Sequence, residues 1–159
     1  MKKPTIYSSM LLFLAMLATG CHERNATPCS SDESAVTAVT KVRYGTSFGM
    51  CAGYCKHEIT VTRNVVKFEK SGWTGTVVPV TCQKQSDNCA LLRKINMGTF
   101  FKLDEIIGCP DCADGGAEWI EIETPSKKYK VTFPYHDEPA AVGGYIEDLR
   151  ELLAAMDCK

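Results

Sequence analysis

The sequence predicts an α+β fold, an antiparallel sheet of hairpins packed against two helices and stabilised by disulfides. Two stretches alternate apolar and polar residues across short turns, a stripe near the C-terminus recurs at helical spacing, and eight cysteines follow the first one. Period-two alternation marks a half-buried strand, whereas steps of three and four mark one face of a helix.

The folded part is expected to begin near Val39, as residues 39–159. His57–Thr62 carries Ile59 and Val61 on one face, and Val65–Glu69 carries Val66 and Phe68. A turn at Arg63-Asn64 sets Val61 against Val66 and Ile59 against Phe68, so one register gathers all four apolar side chains on one side. Ser86-Asp87-Asn88 is a cap-rich start for a helix through Asn96, with Leu91, Leu92 and Ile95 apolar and Gly98 as its stop. Phe100, Phe101, Leu103, Ile106 and Ile107 continue as an apolar connector. Glu118–Thr124 and Lys127–Phe133 flank Pro125-Ser126, and pairing Ile122 with Tyr129 and Ile120 with Val131 also sets Glu123 against Lys128 and Glu121 against Lys130. The closing helix carries Val142, Ile146, Leu149, Leu153 and Met156 on one stripe, with Glu147, Asp148, Arg150 and Glu151 expected to face away. Pro139 suits its first turn, and Gly143-Gly144 weakens its beginning.

Ahead of this domain, Lys2 and Lys3 precede an uncharged apolar core, residues 10–17, too short to span a bilayer. It ends in Leu17-Ala18-Thr19-Gly20-Cys21, which resembles the lipobox of bacterial lipoproteins. That resemblance implies a signal peptide over residues 1–20, cleavage after Gly20, and a mature chain that starts at lipidated Cys21. Residues 21–38 then read as the lipidated cysteine and a polar, flexible tether, part of which Cys29 can pin down. The expected location is the cell envelope, with the membrane as a partner through the lipid. His22 stands where Asp commonly retains Gram-negative lipoproteins at the inner membrane, which favours the outer membrane if the source is Gram-negative.

Of the 159 residues, 18 are basic and 19 acidic, and removing residues 1–20 leaves 16 against 19. That balance excludes a nucleic-acid footprint and, as sequence, suggests no polybasic patch for acidic lipids. In an oxidising envelope Cys29, Cys51, Cys55, Cys82, Cys89, Cys109, Cys112 and Cys158 are candidate disulfide cysteines. Eight cysteines permit 105 connectivities. Locality and chain ends favour Cys82 with Cys89, Cys29 with Cys158, and Cys109 with Cys112 or with the Cys51 and Cys55 pair. The alternative is thiol chemistry, in which Cys51, Cys55, Cys109 and Cys112 bind zinc or the Cys109-Pro110-Asp111-Cys112 motif is redox-active. The turn-like Ala113-Asp114-Gly115-Gly116 that follows argues against a helix-opening redox motif.

Phe48-Gly49-Met50-Cys51-Ala52-Gly53-Tyr54, with Phe100-Phe101, Asp114-Gly115 and Pro139 downstream, resembles a family of bacterial envelope lipoproteins defined only as a domain of unknown function. The likeness spans residues 41–157. It implies an α+β domain and no known activity. Ser47 stands where the family has its first cysteine, so the partner that the resemblance would assign to Cys51 is missing, with Cys55 as a local substitute.

Catalytic signatures are thin, and no catalytic residue, metal ligand or cofactor is assigned. His57-Glu58 resembles the start of a zinc-protease helix, but Val61 stands where the second histidine belongs and the segment reads as strand. Asp111, Asp114 and Glu118 lack calcium-loop spacing. Tyr135-His136-Asp137-Glu138 reads as a polar lead-in to the last helix with a solvated histidine. The expected function is therefore a non-enzymatic binding or assembly module with an envelope protein partner. An inhibitor or immunity-type protein is a further alternative.

Overall fold

The structure, a computed structural model, describes residues 29, 38–73, 75, 77–156 and 158. Residues 1–20, the expected signal peptide, Cys21 and most of the expected 21–38 tether lie outside the described residues. The chain forms β1 (Lys41–Ser47), β2 (Lys56–Thr62), β3 (Val65–Ser71), β4 (Val80–Gln85), α1 (Cys89–Lys94), α2 (Met97–Phe100), β5 (Ala117–Glu123), β6 (Lys128–Pro134) and α3 (Gly143–Ala154), with a 3-10 turn at Cys112–Asp114. One six-stranded sheet in the order β4-β3-β2-β1-β5-β6 is antiparallel throughout.

Both expected hairpin registers occur. Val61 pairs with Val66 and Ile59 with Phe68; Ile122 pairs with Tyr129 and Ile120 with Val131. No strand is expected from sequence at Lys41–Ser47, yet β1 joins the two hairpins as a central strand. Its alternation of Val42, Tyr44 and Thr46, all buried, is interrupted on the other face by Arg43 and Gly45. Across the sheet, Phe68, Ile59, Tyr44, Ile120 and Val131 form one buried row on the helix side. Burying such side chains contributes about 1.5–3 kcal/mol each.

The expected helix through Asn96 is instead two short ones. Ile95 is extended, and the Asn96 side chain accepts from the Thr99 backbone N–H at 3.0 Å, starting α2 afresh with Gly98 inside it. A side chain that bonds its own backbone competes with continued helix. Asn88 uses its Nδ2 to donate to the Thr62 carbonyl at 2.7 Å, tying α1 to the β2–β3 turn. In the connector, Phe100 is buried, whereas Ile106 is 69% exposed and its segment lies parallel along the edge of β6.

In α3, Val142, Ile146, Leu149 and Met156 are buried as expected, and Leu153 is only partly buried. Arg150 does not face away: it turns under the sheet toward Glu118. No helix among the described residues is long and apolar enough to cross a membrane.

All eight cysteines after Cys21 are paired: Cys29 with Cys89, Cys51 with Cys55, Cys82 with Cys158, and Cys109 with Cys112. The expected Cys82–Cys89 and Cys29–Cys158 bridges are thus exchanged. Cys82 lies in the Phe68 row, where the chain leaving α3 arrives and brings Cys158 to a Cα separation of 6.1 Å. Cys89 opens α1 beyond the other end of β4 and meets Cys29 at 5.2 Å. Both separations suit a bridge.

Candidate functional site

The sheet has two unlike ends. At one lie the start of β1, the Arg63-Asn64 and 124–127 turns, and Cys29 bonded to Cys89. At the other, hereafter the loop end, the 48–55 and 109–116 loops meet. The Asp111 carboxylate accepts from the backbone N–H groups of Gly49 and Gly116, each at 3.2 Å, joining two loops that each hold their own disulfide. Gly116 has φ +82°, and the Phe48 ring occupies the space a Cβ would need, so glycine is required twice over. Phe48 also packs edge-on against Tyr135 at 4.9 Å. The loops singled out by the lipoprotein resemblance therefore touch, but through Asp111 and Gly116 rather than Asp114-Gly115.

Two concavities open at the loop end, one on each side of the sheet. On the helix side a cavity of about 500 Å3 is lined by aromatic and apolar groups, among them Phe48, Phe68, Tyr135 and Leu153, with Thr46, His57, Glu118 and Arg150 as polar members. On the outer side a groove of about 420 Å3 runs between Trp73 and Trp119, with Thr46 and His57 common to both. Trp119 lies across Gly45, where an added Cβ would sit 2.7 Å from its ring, and its ring meets the cations of Lys130 at 4.3 Å and Arg43 at 5.3 Å. Lys56 stands 3.8 Å over Trp73.

The cavity's charge is internally compensated. Glu118, wholly buried, takes both arms of Arg150: Nε donates at 3.0 Å and Nη2 at 2.8 Å. Arg150 also donates to Glu138 at 2.5 Å and Glu147 at 2.9 Å. These hydrogen bonds raise the guanidinium pKa further above its ordinary range and hold the Glu138 carboxyl below its own. The Tyr44 hydroxyl is buried beside this group with no hydrogen bond of normal geometry, and burial with the nearby Glu118 charge raises its pKa. His57 is pushed down, first by burial and then by Lys70.

Such a site can hold an apolar or aromatic body and meet it with a few hydrogen bonds. Among the described residues neither His57 nor His136 makes a hydrogen bond to a hydroxyl, thiol or carboxylate. His136 sits in an exposed turn at φ +59° against Tyr135, and Glu138 belongs to Arg150. Cys51, Cys55, Cys109 and Cys112 are tied within their own loops and offer no thiolates as bonded. No group of three His, Cys, Asp or Glu among the described residues is arranged to hold a metal ion.

Tyr44, Trp73, Trp119 and Arg150 are not singled out from sequence as site residues, and Glu118 is weighed there only as a calcium ligand. A signal existed for Glu118, which shares the parity of Ile120 and Ile122 and is therefore directed to the core face. No family model matches the chain, and no curated protein matches it.

Proposed function

We propose that the protein is an envelope lipoprotein, anchored through Cys21, whose α+β domain is a non-enzymatic binding module that takes its ligand or protein partner at the loop end. The observation that supports this is directional. The cavity and the tryptophan groove converge on the sheet end opposite the one where Cys29 is held and β1 begins. A lipid at Cys21 leaves the loop end directed away from the bilayer. The test has two parts. Mass spectrometry of the N-terminal peptide should find an acylated Cys21, with membrane release in Cys21→Ser. Crosslinking in native membranes should give an adduct that Trp119→Ala removes and Glu151→Ala, at an exposed position on α3, does not. An unmodified Cys21, or an adduct unaffected by Trp119→Ala, overturns the corresponding part.

One observation favours the thiol reading as a second. Cys109 and Cys112 are both exposed, and Asp111, Ala113 and Asp114 around them have positive φ, a conformation costly for non-glycine residues. A bridge reduced by glutathione buffers at envelope poise would support redox work, whereas structural bridges resist it.

A further inference from the structure

We infer that the sheet end bearing Cys29–Cys89 is a docking surface for an anionic lipid bilayer, and that this disulfide is the clasp that holds it there. The inference rests on the lipoprotein reading and extends it. In sequence the basic residues are scattered, but the fold gathers five of them at this end: Lys41 at the start of β1, Arg63 in the β2–β3 turn, Lys84 near the end of β4, and Lys127 and Lys128 at the start of β6. The carboxylates at the same end are Glu123, bonded to Lys41, and Asp87, which accepts from the Cys89 backbone N–H. Lys128 pairs with Glu121 at 3.1 Å, whereas Arg63, one guanidinium nitrogen of which is buried, and Lys84 form no ion pair among the described residues, and Lys127 lies over the rings of Phe101 and Tyr129. The loop end has the opposite balance, with Asp111, Asp114, Glu118, Asp137 and Glu138 against Lys56, Lys70 and Arg150, the last already bonded to Glu118 and Glu138. The domain is thus electrically polarised along its strands, a feature invisible in a nearly neutral total.

The clasp sets the distance. Cys29 is the eighth residue after Cys21, and a chain spans at most about 3.5 Å per residue, so the bridge to α1 lies within about 28 Å of a lipidated Cys21. Without the bridge the first firm attachment is the start of the sheet near Val39, and the same arithmetic allows about 63 Å. Surface attraction between lysines and anionic headgroups decays within a Debye length of about 8 Å at physiological salt. A short leash therefore keeps the basic end within range, and a long one dilutes it.

The test uses the full-length chain in two sets of vesicles, phosphatidylcholine alone and phosphatidylcholine with phosphatidylglycerol, read by amide hydrogen exchange. The mass of the Cys21 peptide is measured in the same samples. Exchange in the 63–64 and 124–127 turns should slow several-fold on the anionic vesicles only. Lys84→Glu/Lys127→Glu/Lys128→Glu should abolish that protection, and Cys29→Ser/Cys89→Ser should weaken it, while β1 and β5 stay protected as a check on folding. Equal protection on both lipids, protection of the 48–55 and 109–116 loops instead, or indifference to charge reversal overturns the docking surface. Anionic protection that survives loss of the bridge overturns the clasp. A Cys21 without lipid is a failure of the lipoprotein reading and is seen separately in the peptide mass.

Discussion

Arg150 and Glu118 form a two-pronged ion pair between α3 and β5, beneath the sheet, with the carboxylate wholly buried. Removing one partner strands the other in a poorly solvated place. Arg150→Met should destabilise the domain by about 3–5 kcal/mol, and a paired Glu118→Leu/Arg150→Met variant should recover much of that. Urea denaturation of the three proteins checks this; a double variant no better than the single would show that the pair is not the unit.

Leu149 is fully buried on α3, so Leu149→Ala should cost about 2–5 kcal/mol through lost transfer energy and an unfilled cavity. Glu151→Ala, at an exposed position, should stay within about 0.5 kcal/mol of the wild type. The same denaturation series reads both.

Gly45 leaves no room for a side chain: an added Cβ would lie 2.7 Å from the His57 carbonyl oxygen and from the Trp119 ring. Gly45→Ala should cost about 1–3 kcal/mol and push Trp119 off the strand, shifting its fluorescence toward the red. An unchanged emission spectrum would mean that the strand yields instead of the ring.

Stability should fall with acid in two steps. His57 has a folded pKa below its ordinary 6.5, so the unfolded chain takes up a proton first and stability drops as pH falls from about 6.5 through the folded value. Glu138, held down by Arg150, contributes stability above its ordinary 4.5 that is lost as pH falls through its lower folded pKa. His57→Gln should remove the first step and leave the second, which a pH series of denaturation midpoints will resolve.

Among the disulfides, loop length ranks the losses. The Cys82–Cys158 bridge closes a separation of 76 residues and Cys51–Cys55 one of 4. Chain-entropy reasoning gives about 4–5 kcal/mol for the first and about 2 kcal/mol for the second. Double serine variants compared by denaturation should keep that order.

The β5–β6 register is legible because apolar and charged faces independently demand the same pairing, as at Ile120–Val131 and Glu123–Lys128; the β2–β3 register is legible from its apolar face alone, since its outer face sets Glu58 opposite Glu69. Strand β1 is not, since its outer face carries Arg43 and Gly45, residues whose reasons lie elsewhere: Glu58 and Glu121 for the first, Trp119 for the second. The 86–96 helix misled because Asn96 reads as helix-compatible until its side chain is seen capping the next turn.

Strand periodicity, turn positions, the closing helix and the number of cysteines were set by local spacing, which the chain carries within a few residues. The cysteine partners, the Arg150 cluster, the joining of two loops by Asp111 and the gathering of five cations at one end were decided only by tertiary structure. Each depends on residues brought together across the sheet, and separation along the chain holds no record of that distance.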